Sequence, residues 1–429
     1  MARKKKVEQD EAAMENEALA GLLDAQQARL GSVRMYAGDD LTNNMTGVRL
    51  PGLCLEWLLG MDVWPARKVM FIAGESQAMK STLGFEVNRW LLGAGGIGQL
   101  HETEGDKVSD LVARGLMGPA YRDRVRFQKL LTTTVEEAQQ AWTSLHAYIV
   151  EKGITRRPVF AQLDSLSGVE TESAGEKLDA NGYASGQAYP EAAKAWGKYL
   201  KQVAVWALDG PFFYHLINHL KDDIAQMPTG GPPVKRTPGG KQQRFTASCY
   251  IWLKRIDKGA RQEWEEPTGE ILGRFHEYRT IQMLTDKNTF GPDGRRIEVD
   301  FLAWREPDGG QCFRWDWPSA DARWLSLLQQ PDCKYADRKR VRGICDVDVS
   351  KNRYSSRRLD LQGVSARRFG AALRADQDLC NELRDALGIV HCRAEFGPDE
   401  FGLPDPTPVP LEEQGLPRQR RSREAVKDG

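Results

Sequence analysis

The sequence predicts an α/β protein built on a mainly parallel sheet with helices on both faces. Apolar, strand-like runs alternate with helical patterns from just after Pro65 to about Phe301. Long helices between successive strands are typical of parallel crossovers, which cover both faces of a sheet. Later apolar segments follow one another without long helices, which predicts an antiparallel extension of the same sheet.

Length and composition limit the possible classes of protein. The chain has 429 residues, of which 41% are hydrophobic and 28% charged, so it has room for one large domain with a second domain or with appendages. No hydrophobic run is long enough to cross a bilayer, and a polar, acidic stretch follows the basic start MARKKK where a signal segment would be apolar. We therefore expect a cytoplasmic protein with no membrane partner.

The seven cysteines form no C-x-x-C pair. Cys392 beside His391, with Cys380 upstream, is the nearest approach to a metal cluster. Because a zinc clip needs shorter spacings between its ligands, the pattern favours reduced, buried thiols.

The first predicted element is a helix over residues 11–30, with leucines along one stripe. Such a short helix cannot bury its stripe alone, so we expect it to pack on its own core or on a neighbouring subunit. A short extended piece, VRMYAGDD, follows it. We assign residues 1–46 to this N-terminal helix and strand.

The core is predicted over residues 47–318. Its strands are predicted at 68–73, 97–102, 157–164 and 211–219, its helices at 81–93, 135–153 and 190–210, and its antiparallel segments at 247–256, 270–286 and 295–304. Two long polar stretches, 168–189 and 220–243, each follow a strand end. Open α/β sheets bind ligands at such ends, and loops of this length are usually functional or disordered.

The last part of the chain has a different, basic character. Residues 334–368 carry eleven Lys/Arg against four Asp/Glu, and short helices are predicted at 365–375 and 377–388. We assign residues 319–395 to a small basic C-terminal domain and residues 396–429, proline-rich and then basic, to a flexible tail. Since the formal net charge of the whole chain is zero, any affinity for nucleic acid has to come from such local patches.

A phosphate-binding loop is the strongest chemical signal. It needs backbone N–H groups aimed at a phosphate, a lysine for the β- and γ-phosphate oxygens, and a hydroxyl for Mg²⁺. Gly74, Lys80 and Ser81 have this spacing between an apolar strand and a helix, while Met79 stands where a glycine is usual. The predicted nucleotide-binding residues of the loop are Gly74, Glu75, Ser76, Gln77, Ala78, Met79, Lys80, Ser81 and Thr82.

Two strand ends add carboxylates to this chemistry. Asp164 ends the segment PVFAQLD and can hold Mg²⁺ beside the Ser81 hydroxyl. Glu102 and Glu104 lie at the end of another strand, where one carboxylate could polarise an attacking water as general base. The alternative for this second pair is a solvated acidic turn.

The order of these motifs resembles the RecA family, from about Ala13 to Trp304. GESQAMKST is similar to that family's P-loop, and the bulky Met79 is similar to the UvsX-type phage branch. ALAGLLDAQQARLGSVRMYAGDD resembles the N-terminal polymerisation helix and strand, HETEGD the acidic strand end, and LDSLSGV the Mg²⁺-site strand. LINH resembles the strand whose polar pair senses the γ-phosphate, and TPGGKQQRFTASCYIWLKRI the segment that leaves the second DNA-binding loop.

The resemblance implies an ATP-dependent DNA strand-exchange recombinase that uses Mg²⁺ and forms helical filaments on single-stranded DNA, which it pairs with homologous duplex DNA. Lys80 and Glu104 are then catalytic, Ser81 and Asp164 hold the metal, and Asn218 with His219 senses the γ-phosphate. The alternative for the histidine is a satisfied core position.

The resemblance also implies a DNA-binding loop that starts at Leu220. Its lysines and arginine can neutralise phosphates, and its glycines let the backbone approach the strand. The alternative for the basic residues is an ordinary solvated loop. The predicted DNA-binding residues are Lys221, Lys235, Arg236, Gly239, Gly240 and Lys241.

The sequence departs from the bacterial members of the family at three points. Of two lysines that reach across the subunit interface, only Lys287 is retained, and the resemblance gives it a catalytic role similar to an arginine finger. The second DNA loop lacks an aromatic residue, so wedging between bases would fall to Ile224 or Met227, and the tail is basic where bacterial members are acidic. The basic tail favours a phage-type or otherwise divergent member, which we expect to be associated with the nucleoid or, if phage-encoded, to lie in the host cytoplasm.

Two other classes of protein share such a core. One is a hexameric helicase or a DNA-dependent regulatory ATPase, although a ring helicase would normally carry a separate N-terminal helical domain and an arginine finger. The other is a non-enzymatic, DNA-binding or architectural paralogue, against which the set Lys80, Ser81, Glu104 and Asp164 argues.

Overall fold

The computed structural model describes residues 45–103, 109–118, 121, 123, 126–171, 188–222, 235–236, 242–259, 263–265, 271–305 and 311–396. The first half contains β1 (Thr46–Arg49), α1 (Leu53–Leu59), β2 (Val63–Pro65), β3 (Lys68–Gly74), α2 (Lys80–Gly93), β4 (Ile97–Glu102), α3 (Ser109–Met117), β5 (Phe127–Leu131), α4 (Val135–Glu151), β6 (Val159–Asp164), α5 (Ala188–Trp206) and β7 (Phe212–His219).

The second half begins with short elements and continues into long strands. It contains β8 (Lys221–Asp222), β9 (Lys235–Arg236), α6 (Gln242–Thr246), β10 (Cys249–Gly259), β11 (Glu263–Glu265), β12 (Ile271–Asn288), β13 (Arg296–Arg305), β14 (Gln311–Trp315), α7 (Trp317–Leu328), α8 (Arg338–Ile344), β15 (Asp348–Ser350), β16 (Arg353–Ser356), β17 (Leu361–Val364), α9 (Ala366–Ala375), α10 (Gln377–Leu387) and β18 (Arg393–Phe396).

The main sheet has the strand order β14-β13-β12-β10-β3-β7-β6-β4-β5, with β11 paired to β12. Strands β10, β3, β7, β6, β4 and β5 run parallel to one another. Strands β12, β13 and β14 continue the sheet from β10 in antiparallel pairs. The α/β architecture, with one large mixed sheet and helices on both sides, is therefore confirmed, including its antiparallel extension.

On one face of the sheet, alternate residues of the parallel strands pack against helices. Val69, Phe71 and Ala73 of β3 join one buried cluster with Trp142 of α4 and Leu200 of α5. Strand β6 is buried along Val159–Leu163, as expected of a strand packed on both faces. Helix α4 begins with a capping box in which Thr134 and Glu137 bond each other's backbone N–H groups.

On the opposite face, α2 packs closely against β6. A Cβ atom on Gly84 would lie 2.6 Å from the Gln162 side chain, so a glycine permits this approach. Helix α2 directly follows the predicted phosphate-binding loop, and its contact with the sheet fixes the position of that loop.

The C-terminal residues pack on the segment that precedes β3. Strand β18 pairs in parallel with β1, and the fully buried Glu56 of α1 receives hydrogen bonds from Arg374 and Arg384. A buried carboxylate needs such charged partners, because its desolvation is costly. The boundaries predicted at residues 46, 318 and 395 stay predictions.

The basic part of this region contains α8 and the sheet β15-β16-β17. Lys351 and Asn352, between β15 and β16, both have positive φ angles, as the tightest hairpin turns require. The predicted helices at 365–375 and 377–388 are confirmed as α9 and α10.

The described cysteines behave as small apolar side chains. Six of the seven are buried, and Cys333 is partly exposed. Within the described ranges no three His, Cys, Asp or Glu side chains come together as a metal site. None of the described helices has the length and apolar character that crossing a membrane requires.

Candidate nucleotide-binding site

The loop between β3 and α2 contains the residues of the predicted phosphate-binding loop. A Cβ atom on Gly74 would lie 2.5 Å from the carbonyl oxygen of Leu253 and 3.2 Å from Cβ of Ala78. A glycine is required here because the backbone of β10 passes directly beside the start of the loop. Leu220 N–H also donates to the Gly74 carbonyl at 2.9 Å, which ties the residue after β7 to the same point.

Two non-glycine residues of the loop adopt left-handed backbone conformations. Gln77 has φ 61° and Met79 has φ 63°, a region that glycine enters without steric cost. The glycine that is usual before the lysine therefore has a backbone reason, and Met79 adopts the same conformation with a side chain attached. Arg255 Nη1 donates to Gln77 Oε1 at 3.0 Å and holds this part of the loop from β10.

Lys80 is the first residue of α2 and is only 5% exposed. Its Nζ donates to the carbonyl oxygen of Glu75 at 2.7 Å, so the lysine side chain runs back toward the start of the loop. At the same end of the helix, Trp315 Nε1 donates to the carbonyl oxygen of Thr82 at 3.4 Å. Ser76 is exposed, and Ser81 is partly buried.

A cavity of about 560 Å³ opens beside this loop. Its size is within the range of small-molecule and cofactor sites. The lining residues come from the loop, the start of α2, α3, the end of β7 and the antiparallel strands. They are Gln77, Ala78, Met79, Lys80, Ser81, Thr82, Leu111, Val112, His219, Glu277, Arg279, Phe301, Ala303, Gln311 and Phe313.

The lining combines cationic and apolar surface. Lys80 and the first turn of α2 contribute N–H donors, where a helix N-terminus favours an anion. Phe301 and Phe313 stack at 6.1 Å on β13 and β14, and Leu111 with Val112 adds apolar surface from α3. This combination fits a ligand with an anionic chain and a flat, apolar ring.

The ends of β4 and β6 lie side by side, since Glu102 is paired with Asp164 in the parallel ladder. Thr103 fixes the two ends to each other, because its N–H donates to Asp164 O at 2.9 Å and its Oγ1 accepts from Ser165 N at 2.8 Å. Because β6, β7 and β3 run parallel, Asp164 ends its strand at the same edge of the sheet as Gly74. A carboxylate there and the Ser81 hydroxyl are oxygen donors of the kind that Mg²⁺ takes.

Of the two carboxylates predicted at the end of β4, the structure describes only Glu102. Glu102 forms an ion pair with Lys129 of β5, with 2.7 Å between Oε2 and Nζ, and is only 12% exposed. Glu104 lies outside the described residues.

The polar pair at the end of β7 divides between two environments. Asn218 is fully buried, and its Nδ2 donates to Oε1 of the buried Gln243 at 2.9 Å. His219 lines the cavity. Because Gln243 belongs to α6, just after the predicted DNA-binding loop, the Asn218 side chain joins the cavity edge to the exit of that loop.

The predicted DNA-binding loop has more regular structure than the sequence indicates. Strands β8 and β9 pair antiparallel, with Lys221 opposite Arg236 and Asp222 opposite Lys235. The two strands therefore form a ladder of two residue pairs, and the helix α6 comes later in the chain. Gly239, Gly240 and Lys241 lie outside the described residues, as do Ile224 and Met227.

Lys287 lies on β12 and does not line the cavity. Its Nζ donates to the carbonyl oxygens of Arg244 at 2.8 Å and Phe245 at 3.2 Å, at the end of α6. Burial and the nearby Arg244 guanidinium lower the pKa of Lys287. Phe245 itself is 73% exposed, which is unusual for a large aromatic side chain.

Sequence reasoning missed the cavity residues of the antiparallel strands. Glu277, Arg279, Phe301 and Phe313 are far from the loop in sequence. Alternation along these strands could have indicated which residues share a face, but the register that brings them to the loop is not a local signal.

No model of a known protein family matches the chain, and no curated protein matches its sequence. The fold and the cavity therefore define the protein only as an α/β protein with a mixed sheet and a candidate anion-binding loop at the carboxyl edge of its parallel strands.

Proposed function

We propose that the chain is an ATP-dependent DNA strand-exchange recombinase with a RecA-type core, which forms filaments on single-stranded DNA. The observation that carries the proposal is a single cavity that adjoins both a candidate phosphate-binding loop and a basic loop. The cavity contains Lys80 on a strand–loop–helix, and Asn218 links its edge to Gln243 at the exit of a basic loop.

The nucleotide part of the proposal is supported by the polarity of the cavity. A triphosphate would lie against the loop N–H groups and Lys80, with its base toward Phe301 and Phe313. Mg²⁺, held by Ser81 and Asp164, would neutralise charge on the β- and γ-phosphates. In this proposal Glu104 takes the proton of the attacking water, and Lys80 stabilises the charge that develops on the transferred phosphoryl group.

The DNA part of the proposal is supported by the basic residues around β8 and β9. Lys221, Lys235 and Arg236 stand within one short ladder, and counterion release from phosphate contacts is the main source of sequence-independent affinity. A γ-phosphate near His219 would shift the end of β7. The hydrogen bond from Asn218 to Gln243 would pass that shift to this loop. The basic region 334–368 is a second surface of suitable charge for the homologous duplex.

The homo-oligomer is supported by an exposed surface next to α6. Phe245 is 73% exposed, and Arg244 and Lys287 adjoin it. An exposed aromatic residue rimmed by charges is typical of protein interfaces. A subunit docked there would contact the residues that end the DNA-binding loop, so filament assembly and DNA binding would be coupled.

ATP hydrolysis with and without single-stranded DNA tests the proposed function. We expect DNA to stimulate turnover strongly, and Lys80→Ala to abolish turnover, because the phosphate oxygens lose the lysine of the loop. Lys198→Ala, an exposed lysine of α5, is the matched control and should retain full activity. Turnover of Lys80→Ala close to that of the unmodified chain would rule out the assignment of the loop.

Electron microscopy with ATP and single-stranded DNA separates the recombinase from its alternatives. Open helical filaments support the recombinase, and closed rings favour a hexameric helicase. Dispersed particles that hydrolyse ATP favour a regulatory ATPase, while dispersed particles without turnover favour an architectural protein.

A further inference from the structure

Arg279 places a guanidinium group in the cavity beside the loop. It lies on β12, paired with Lys258 of β10 and Phe301 of β13. The last pair between β10 and β3 is Leu253 with Gly74, and β10 continues to Gly259. The antiparallel strands thus extend past the end of the parallel sheet and form a wall from which Arg279 reaches the loop.

The contacts of Arg279 are weak ones that an anion can replace. Nη1 lies 3.4 Å from Met79 Sδ, and a thioether is a poor acceptor. Nη2 donates to Glu277 Oε2 at 2.9 Å, in an ion pair whose side chains are 36% and 58% exposed. Exposed pairs of this kind add little to stability. A phosphate oxygen is a stronger acceptor, since both partners of the hydrogen bond are then charged.

Met79 gives the contact a geometric basis. Its left-handed backbone and its side chain bring the sulfur within reach of Arg279, so the guanidinium group is already held over the residue that precedes Lys80. A glycine at this position would offer no such support. Lys80 and Arg279 therefore provide two cations that line the same cavity.

We infer that Arg279 binds the phosphate chain of the nucleotide from within the same subunit, as a second cation beside Lys80. The inference rests on the proposed nucleotide site and deepens it. It assigns a phosphate contact to a side chain of the antiparallel wall, where sequence reasoning had only Lys287 of a neighbouring subunit to add to Lys80.

Calorimetric titration of a series of ligands into the full chain with Mg²⁺ tests the inference. ATP, ADP, AMP and adenosine are titrated into the unmodified chain and into Arg279→Ala. We expect the Kd of ATP to rise about tenfold or more, the value of a hydrogen bond to a charged group, and the Kd of adenosine to stay unchanged. Arg279→Lys keeps the charge and should recover part of the affinity for ATP.

Arg255→Ala is the matched control, because Arg255 holds the loop through Gln77 from the neighbouring strand and does not line the cavity. It should affect ATP and ADP much less than Arg279→Ala does. Equal losses in both variants would mean that the wall only positions the loop, and would overturn the inference. Circular dichroism of each variant checks that its fold is retained.

The remaining outcomes also decide the matter. Equal loss of affinity for adenosine and ATP in Arg279→Ala would place the side chain at the base or ribose and overturn the phosphate contact. Unchanged affinity for all four ligands would overturn it as well. If the unmodified chain binds none of the nucleotides, the proposed function itself fails. A chain that binds ATP in a Lys80-dependent way, but is insensitive at Arg279, loses only this inference.

Discussion

Lys129 forms an ion pair with Glu102, one of the two carboxylates predicted at the end of β4. The Glu102 carboxylate is paired with the Lys129 ammonium at 2.7 Å, and a general base has to be able to reach the proton that it abstracts. Glu102 already has a structural role between two neighbouring strands. Under the proposed function, this contact leaves Glu104 as the candidate for the chemical step.

We expect Glu104→Gln to retain ATP binding and to lower turnover by about 10²–10⁴-fold, since a neutral amide cannot accept the water proton. The variant should also hold DNA longer, because the ATP-bound filament would persist. Steady-state hydrolysis and nucleotide titration measure the two effects separately.

Glu102→Gln is the control at the neighbouring carboxylate. It should lower stability by about 1 kcal/mol or less, the usual value of a partly exposed ion pair, and keep turnover close to that of the unmodified chain. If Glu102→Gln is inactive and Glu104→Gln hydrolyses ATP normally, the assignment of the two carboxylates is reversed.

Single residues also mark the limit of what the sequence could predict about the site. Gly74, Lys80 and Asp164 follow from local pattern, since each stands at the end of an apolar strand or at the start of a helix. Arg279 and Phe301 could not be predicted, because their place at the loop depends on the pairing of strands that are remote in sequence. The buried link from Asn218 to Gln243 is missed for the same reason.

At the scale of elements, strands and long helices were the most predictable features. The strands predicted at 97–102 and 211–219 correspond closely to β4 and β7, because apolar runs bounded by turn residues are strong signals. The sequence pattern predicts a loop over the whole of 220–243, yet this segment contains β8, β9 and the start of α6. Elements of two to five residues carry too little periodicity to be recognised.

The docking of helix α9 gives a prediction about packing between elements. A Cβ atom on Gly370 would overlap the carbonyl oxygen of Pro318 at the start of α7, and backbone cannot move aside as a side-chain end can. We expect Gly370→Ala to lower the free energy of unfolding by about 1–3 kcal/mol, the usual cost of overpacking. Urea denaturation measures the change.

Gly343→Ala is the matched control for this helix contact. Gly343 lies in α8, and nothing is within 4 Å of the position its Cβ would take. Because alanine favours helix over glycine by up to about 1 kcal/mol, this variant should be neutral or more stable. A neutral Gly370→Ala would mean that α9 and α7 separate easily.

For the whole molecule, the main consequence of the fold is that the proposed nucleotide and DNA sites share one edge of the sheet. Strand β3 leads into the loop of Lys80, and its neighbour β7 leads through His219 into β8. The hydrogen bond from Leu220 to Gly74 and that from Asn218 to Gln243 join the two sites. A change at the phosphates therefore has a short physical route to the basic loop.

The salt dependence of DNA binding tests whether this basic loop contacts the DNA backbone. We expect affinity for single-stranded DNA to fall steeply with salt in the unmodified chain. Lys235→Ala combined with Arg236→Ala should lower the affinity and flatten the slope of log affinity against log salt, by roughly 0.7 for each lost contact. Nucleotide binding without DNA should be nearly unchanged, because these residues belong to the loop base and not to the cavity.

Arg156→Ala combined with Arg157→Ala is the matched control, since it removes the same charge just before β6, at the opposite edge of the parallel sheet. Its slope should equal that of the unmodified chain, because only phosphates in direct contact release their counterions. Equal flattening in both double variants would indicate a general effect of charge rather than contacts at the loop. An unchanged slope after substitution of Lys235 and Arg236 would mean that the loop does not touch the DNA backbone, and would favour the helicase or regulatory ATPase over the recombinase.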